Sequence, residues 1–530
     1  MNSLDWRFPY ASQRMPILAR NVVATSQPLA AQAGLRMLLA GGNAVDAALA
    51  AAIAATIVEP VANGIGGDAF AIVWDGTRLH GLNGSGRSPA AWSSQRFAGR
   101  DVMPSTGWDS VTVPGAVSAW SALSQRFGRL PFAQLFAPAI EYARHGFPVA
   151  PIVARQWADQ AGALGGNPDF AGAFLPRGAA PTAGDAFAFP EQARTLEEIA
   201  ESHGESFYRG DLARRMVADA ARHGGAMAPE DLASHQPVWV EPLEQRYRSC
   251  LVHELPPNGQ GLAALVALGI LSRLDVARLG VDSADTVHVQ IEALKLAFAD
   301  VYAHVADPAA MRFDSRAFLD PAYLEAQAAL IDMRRAHWPG SGMPRDEGTV
   351  YLTAADAAGM MVSFIQSNYR GFGSGVVVPE TGISLNNRGS GFSLVPGHPN
   401  QVAGHKLPFH TIIPGFVTRD GRPVMSFGVM GANMQPQGHV QMLVRFADQG
   451  QNVQAAADAP RWKITEDQQS VMVEPDFDPA VLADLESRGH RLIHAPREST
   501  DFGAAQLIHR LEHCYVAASE RRRDGQAVGF

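Results

Sequence analysis

The chain has 530 residues, 47% of them apolar and 18% charged, with a net charge of −9. That is an ordinary globular composition with ample material for a core, and a negative balance without a basic tail excludes nucleic acid as the main partner. The two distant cysteines, Cys250 and Cys514, make no disulfide framework and read as two buried thiols.

The stretch MNSLDWRFPYASQRMPILARN lacks the apolar core of a signal peptide. Residues 27–40 show helical spacing that stops at Gly41-Gly42, and Asn43 then caps an alanine-rich helix ending before Pro60. The longest apolar run, residues 47–58, is too short to cross a bilayer and reads as a buried helix, so a cytoplasmic protein without membrane contact is expected. Gly64-Ile65-Gly66-Gly67-Asp68 leads into an apolar strand over residues 69–74. These glycines lack GxGxxG spacing and no GK[ST] follows, so they read as points of close backbone approach and not as a phosphate loop.

Residues 162–190, rich in Gly, Ala and Pro, read as a long surface excursion. Helices are expected over 196–203, 211–223 and 285–304. On the last of these, His288 and Glu292 stand at i and i+4 as metal ligands would, but Lys295 beside them favours an ordinary charged face. From Thr349 onward the texture turns to strands, at 360–365, 412–418 and 423–429, before a helix at 479–488. His398, His405 and His410 are irregularly spaced without HExxH or CxxC, so no metal or other cofactor is expected. No internal repeat or low-complexity linker divides the chain. The pattern by itself supports mixed α and β.

The middle of the chain carries the chemistry. Asp346-Glu347-Gly348-Thr349-Val350-Tyr351 is followed by a strand, a turn at 356–359, Ser363-Phe364-Ile365-Gln366-Ser367, the turn Gly371-Phe372-Gly373-Ser374-Gly375, and Ser384-Leu385-Asn386-Asn387. Elsewhere stand GGNAVDAALAAAIAATIVEP, GIGGDAF, VPGAVSAW, PAIEYARHGFPV, FYRG, PPNGQG, EALKLAFAD and ADAPRW, closing on Ala518-Ser519-Glu520-Arg521. In this order the motifs resemble the gamma-glutamyltranspeptidase family over nearly the whole chain. The resemblance implies an α+β fold, a four-layer αββα sandwich of the N-terminal-nucleophile hydrolase type. It also implies one precursor that cuts itself before a threonine. Residues 1–348 would form the large fragment and 349–530 the small one, together one domain and each other's first partner.

On that reading Thr349 is the nucleophile. An amide resists water, so its hydrolysis needs an activated nucleophile and donors for the developing oxyanion. An N-terminal threonine carries its own base, because its α-amine titrates near neutrality beside its hydroxyl. In an unbroken chain that amine is a peptide nitrogen, so cleavage of Gly348–Thr349 must come first. The expected route is attack of the Thr349 hydroxyl on the Gly348 carbonyl, giving an ester that water opens; glycine leaves the approach clear. The plain alternative is a strand threonine with no such role. The resemblance puts Ser367 where a threonine normally supports the nucleophile, and Gly431-Ala432 where a glycine pair supplies oxyanion-hole amides.

The pocket residues depart from the family. By position, its acidic ammonium reader corresponds to Gly391, a glutamine to Arg388, an asparagine to Tyr369 and an arginine to Ser85. Arg87 lies two residues after Ser85, and the family's paired serines map onto His410-Thr411. The pocket is thus expected to lose an anion and gain the uncompensated cation Arg388, disfavouring γ-glutamyl donors. Arg87, Tyr369, Arg388, His410 and Thr411 become the substrate-binding candidates, Arg87 and Arg388 reading a carboxylate; an ordinary salt bridge is the alternative for either arginine. The substitutions resemble a divergent branch that includes a hydrolase of oxamate in purine breakdown and acylases of glutaryl-type amides. Bulky Tyr369 and Arg388 favour a small anionic amide such as oxamate. The competing readings are a γ-glutamyl transferase with a rebuilt pocket and a non-enzymatic scaffold. Oligomeric state, including a homo-oligomer, is left open.

Overall fold

A computed structural model describes residues 13–338 and 348–530; Asp346 and Glu347, which open the central motif, lie outside them. Fourteen strands build the two main sheets of the described residues. Before Thr349 these are β1 (Ile17–Ala19), β2 (Val22–Thr25), β3 (Asp68–Trp74), β4 (Leu79–Asn83), β5 (Val238–Val240), β6 (Leu243–Tyr247) and β7 (Cys250–Glu254). After it come β8 (Val350–Ala355), β9 (Met361–Ser367), β10 (Gly415–Arg419), β11 (Arg422–Met430), β12 (Ala504–Arg510), β13 (Tyr515–Ser519) and β14 (Gln526–Gly529). One sheet runs β1-β13-β12-β11-β10-β7-β6 and the other β14-β2-β8-β9-β3-β4-β5, every ladder antiparallel.

Alternation along these strands sorts the core. Phe70, Ile72, Tyr351, Ile365, Phe416, Met430 and Ile508 meet in a cluster drawn from both sheets. The intervening residues Ala71, Val73, Leu352, Ala354, Val362 and Phe364 pack with α1 (Pro28–Leu39) and α2 (Ala44–Val58). Val417, Met425, Phe427, Val429 and Leu507 pack with α3 (Gly261–Leu271), α4 (Ala284–His304) and α5 (Met434–Ala447). Period-two strands with both faces apolar require such cover on each side. The architecture is mixed α and β, as the pattern of elements implied.

The starts of α1 and α2 were legible, whereas the helix expected over 196–203 begins earlier, at Pro190, where proline takes the first helical position. The Gln27 side chain accepts from the Leu29 and Ala30 N–H groups. Asn43 accepts from Val45 and Asp46 while Asp46 accepts from the Asn43 N–H, a reciprocal cap. All fifteen residues of α2 are buried. The segment 162–190 needs correction, since it is no mere surface excursion. Asn167 caps a helix at Pro168–Phe174, and Phe170, Phe174, Phe187 and Phe189 are buried around Trp157 and Phe372. Cys514 is half-buried, not buried as expected, while Cys250 is fully enclosed.

Candidate active site

Strand register assembles the first part of the site. The β8–β9 turn closes with the Gly359 N–H donating to the Asp356 carbonyl at 3.0 Å. This sets Val350 opposite Gln366, so Thr349 falls opposite Ser367, and Ser367 in turn pairs with Asp68 on β3. Cross-strand partners share a face, which puts the three side chains in one row on the side turned toward the other sheet.

Thr349 is buried, with Oγ1 2.6 Å from the Gly348 carbonyl oxygen and 3.2 Å from Ser367 Oγ. Ser367 Oγ accepts the Tyr369 N–H at 2.7 Å and donates to the Gly348 oxygen at 2.8 Å. The Gly348 carbonyl is therefore polarised by hydroxyls on both flanks. Gly348 has φ +72°, and a Cβ there would collide with the backbone of Gly371, so glycine is required twice over.

Tyr369 connects this group to Arg388. It is buried at φ +83°, strained for a side-chain-bearing residue, and its ring lies 4.2 Å beneath the Arg388 guanidinium. Arg388 is fully buried and donates from Nη1 to Thr411 Oγ1 at 2.9 Å. Its Nε and Nη2 groups have no hydrogen-bond partner among the described residues. Asp68 Oδ2 stands 4.0 Å from Nε, a charge partner beyond bonding distance. Asp68 Oδ1 accepts from Gly115 N–H at 3.0 Å and Gly86 N–H at 3.3 Å, and Oδ2 accepts from His410 Nε2 at 3.0 Å.

Burial raises the Asp68 carboxyl to about 7 against the opposing pull of Arg388. Burial lowers the Arg388 guanidinium to about 10, still protonated at neutral pH. Burial and the Arg388 charge hold His410 well below its usual range, and it accepts the Ile412 N–H at Nδ1, so it is a neutral imidazole. The expectation of an uncompensated cation is thereby corrected: Asp68, quoted within GIGGDAF and given no role, supplies the counter-charge. Of the pair His410-Thr411, His410 holds Asp68 and Thr411 accepts the hydrogen bond from Arg388.

The end of β11 approaches the Thr349 end of β8. Thr353 Oγ1 meets Ser426 Oγ at 2.6 Å, and a Cβ on Gly428 would run into the Tyr351 ring. Continued two residues further, the same progression would bring Thr349 level with Met430, the residue before the turn Gly431-Ala432. That turn has φ +118° and +39° at its two residues, and their N–H groups have no acceptor among the described residues. Gln260 Nε2 fastens it, donating to Ala432 O at 2.8 Å and Thr411 O at 2.7 Å. This role of Gln260 is not read from PPNGQG alone; its local trace is a polar residue directly before an all-apolar helix.

Arg87 is placed apart from this network. It donates to Asp307 Oδ2 at 2.8 Å and the His405 carbonyl at 3.1 Å, beside a cavity of about 510 Å³ that Ser85, His235 and Leu407 also line. The GIGG glycines are points of close approach, Gly67 lying against the Ser367 carbonyl. His288, Glu292 and His490 bring ligand atoms within 4.8 Å of one another, the one such group among the described residues. They are buried and do not form the surface face expected, and Lys295 Nζ, 2.7 Å from Glu292 Oε1, already supplies a cation.

Comparison with known proteins decides the kinship. The family model Gamma-glutamyltranspeptidase matches residues 30–530. The chain belongs to the gamma-glutamyltranspeptidase family. By that membership it is an amidohydrolase, the enzyme class its central motif implied. A crystal structure of cephalosporin acylase from Bacillus halodurans is 46% identical with a TM-score of 0.95, covering 100% of this chain and 99% of that one. The glutathione hydrolase-like YwrD proenzyme of Bacillus subtilis is 36% identical over 96% of this chain and 98% of its own length. The oxamate amidohydrolase proenzyme of Klebsiella pneumoniae is likewise 36% identical, over 95% of this chain and 97% of its own. Relatives of this gamma-glutamyltranspeptidase-family chain are thus made as proenzymes.

Proposed function

We propose that the chain is a self-processing amidohydrolase that forms an acyl-enzyme on Thr349 and takes amides whose acyl part carries a carboxylate and no α-ammonium. The observation that carries this reading is Arg388, a buried guanidinium with two unpartnered donor groups, joined to the Thr349–Ser367 pair through Tyr369. Arginine presents its N–H groups in a fork that suits a carboxylate, and Thr411 holds one edge of it. Arg388, rather than Arg87, is the carboxylate reader, because Arg87 is committed to Asp307.

Processing begins with Thr349 Oγ1 attacking the Gly348 carbonyl carbon. Its proton passes to Ser367, whose own proton goes to the carbonyl oxygen across the observed contacts. Collapse of the adduct re-forms the carbonyl, passes that proton to the Thr349 nitrogen and breaks the Gly348–Thr349 bond, and water opens the resulting ester. The freed α-amine then serves as base for Thr349, and the Gly431 and Ala432 N–H groups stabilise the oxyanion. The packing of helices on the outer face of each sheet supports a four-layer αββα arrangement of the N-terminal-nucleophile type.

Oxamate is the smallest substrate of this class, and the bulk of Tyr369 and Arg388 favours it. A glutaryl-type acyl group is the second reading, favoured by the 46% identity to a cephalosporin acylase. Purified cut protein should be incubated with oxamate, a glutaryl anilide and a γ-glutamyl anilide while ammonia or amine release is followed. One of the first two should be hydrolysed with a specific rate at least about tenfold above the third, a margin of about 1.4 kcal/mol. Preference for the γ-glutamyl compound would overturn the reading.

A further inference from the structure

Asp68 is the first residue of a strand otherwise built of Ala, Phe, Ile, Val and Trp, and it is fully buried. A carboxylate in such a place needs partners. Its partners are unusual in kind: three N–H groups hold it, from Gly86, Gly115 and His410, and none belongs to the nearby arginine. Arg388 feels its charge at 4.0 Å yet keeps Nε and Nη2 unengaged. An ion pair formed for stability alone would close that gap and use those donors.

We propose that Asp68 is a specificity-determining residue, a fixed counter-ion that offsets the charge of Arg388 without occupying its hydrogen-bond donors. This rests on the carboxylate reading of Arg388 given above. With Asp68 ionised the pair is neutral, so an entering carboxylate gains the donors but meets an anion behind them. With Asp68 neutral the pocket carries a net positive charge, binds carboxylates more tightly and rejects ammonium groups more strongly. Asp68 therefore limits how sharply the enzyme separates an acyl group with an α-ammonium from one without.

The groups facing Asp68 are Arg388, the His410 imidazole, the Gly86 and Gly115 amides and, by its field, Tyr208. Arg388 stays charged, His410 stays neutral and burial pushes the Tyr208 phenol up, which leaves Asp68 as the member of the group that titrates near 7. The sign follows. Carboxylate affinity is greatest below about 7, where Asp68 is protonated, and falls as pH rises through that value.

Glutarate and L-glutamate differ only by an α-ammonium and carry no scissile amide, so they probe the pocket without turnover. Their dissociation constants should be measured by calorimetry on cut wild-type protein and Asp68→Asn between pH 6 and 8.5. In the wild type, glutarate should bind more tightly than glutamate, and its affinity should fall across that range. Asp68→Asn should widen the preference at pH 8 by at least about tenfold and flatten the part of the pH dependence that Asp68 causes. The Thr349 amine also titrates in this range, and comparison with the variant separates the two. Asp68→Ser serves as a second neutral variant should Asp68→Asn fail to fold or to cut. An unchanged preference and unchanged pH profile in the neutral variant overturn the role of Asp68 while leaving Arg388 as the reader. A wild type that binds neither glutarate better than glutamate nor oxalate, the acid left when oxamate is hydrolysed, overturns the carboxylate reading itself.

Discussion

At the scale of single residues, glycine at 348 is demanded both by its backbone conformation and by the space around it. Its φ of +72° and its contact with Gly371 leave no room for a side chain. Gly348→Ala should slow self-cleavage, since a left-handed backbone costs about 1–2 kcal/mol before the clash with Gly371 is counted. Denaturing mass spectrometry at intervals after purification reads the cut fraction, and cleavage at the wild-type rate would contradict the geometry. Arg388→Met should weaken carboxylate binding by about 1.5–3 kcal/mol, the usual worth of a hydrogen bond to a charged group. Cleavage, which needs no substrate, should survive far better, and unchanged kinetics on a carboxylate-bearing amide would make Arg388 structural. The closeness of Thr349 to Ser367 was legible because ordered motifs surround both. Asp68 was not, because its significance is a contact between residues 320 positions apart in sequence, although a lone charge opening an apolar strand was the trace it left.

At the scale of elements, the site exists because β11 crosses β8 closely enough for Tyr351 to lie on Gly428. Gly428→Ala should force the sheets apart there, costing about 1–3 kcal/mol as overpacking does. Thermal melting should show a lower midpoint, and because Tyr351 is two residues from Thr349, cleavage should slow in step; an unchanged melt would contradict the packing. Strand and helix positions were readable from period and capping, as with Asn43 and with β9. The helix at Pro168–Phe174 was hidden by surrounding Gly and Pro, although Asn167-Pro168 is a helix-start pair and Phe170 and Phe174 share a face. The first residues of β10 were misplaced by three, since Ile412 and Ile413 are buried in the connection before the strand pairs at Gly415.

At the scale of the whole molecule, the two expected fragments are interleaved. In one sheet β8 and β9, which follow Thr349, lie between β2 and β3, which precede it; in the other β10 to β13 lie between β1 and β7. Cutting one peptide bond therefore leaves both sheets and all three clusters between and beside them in place. The central claim is that Thr349 is a nucleophile released by cleavage of the bond before it. Its most direct test is mass spectrometry of the wild type and Thr349→Ala, each under native and denaturing conditions. The account predicts a wild type that keeps the full 56.6 kDa mass natively and separates on denaturation into pieces ending at Gly348 and beginning at Thr349, with the variant a single uncut, inactive chain. A wild type that stays in one piece on denaturation and still hydrolyses its amide would contradict it.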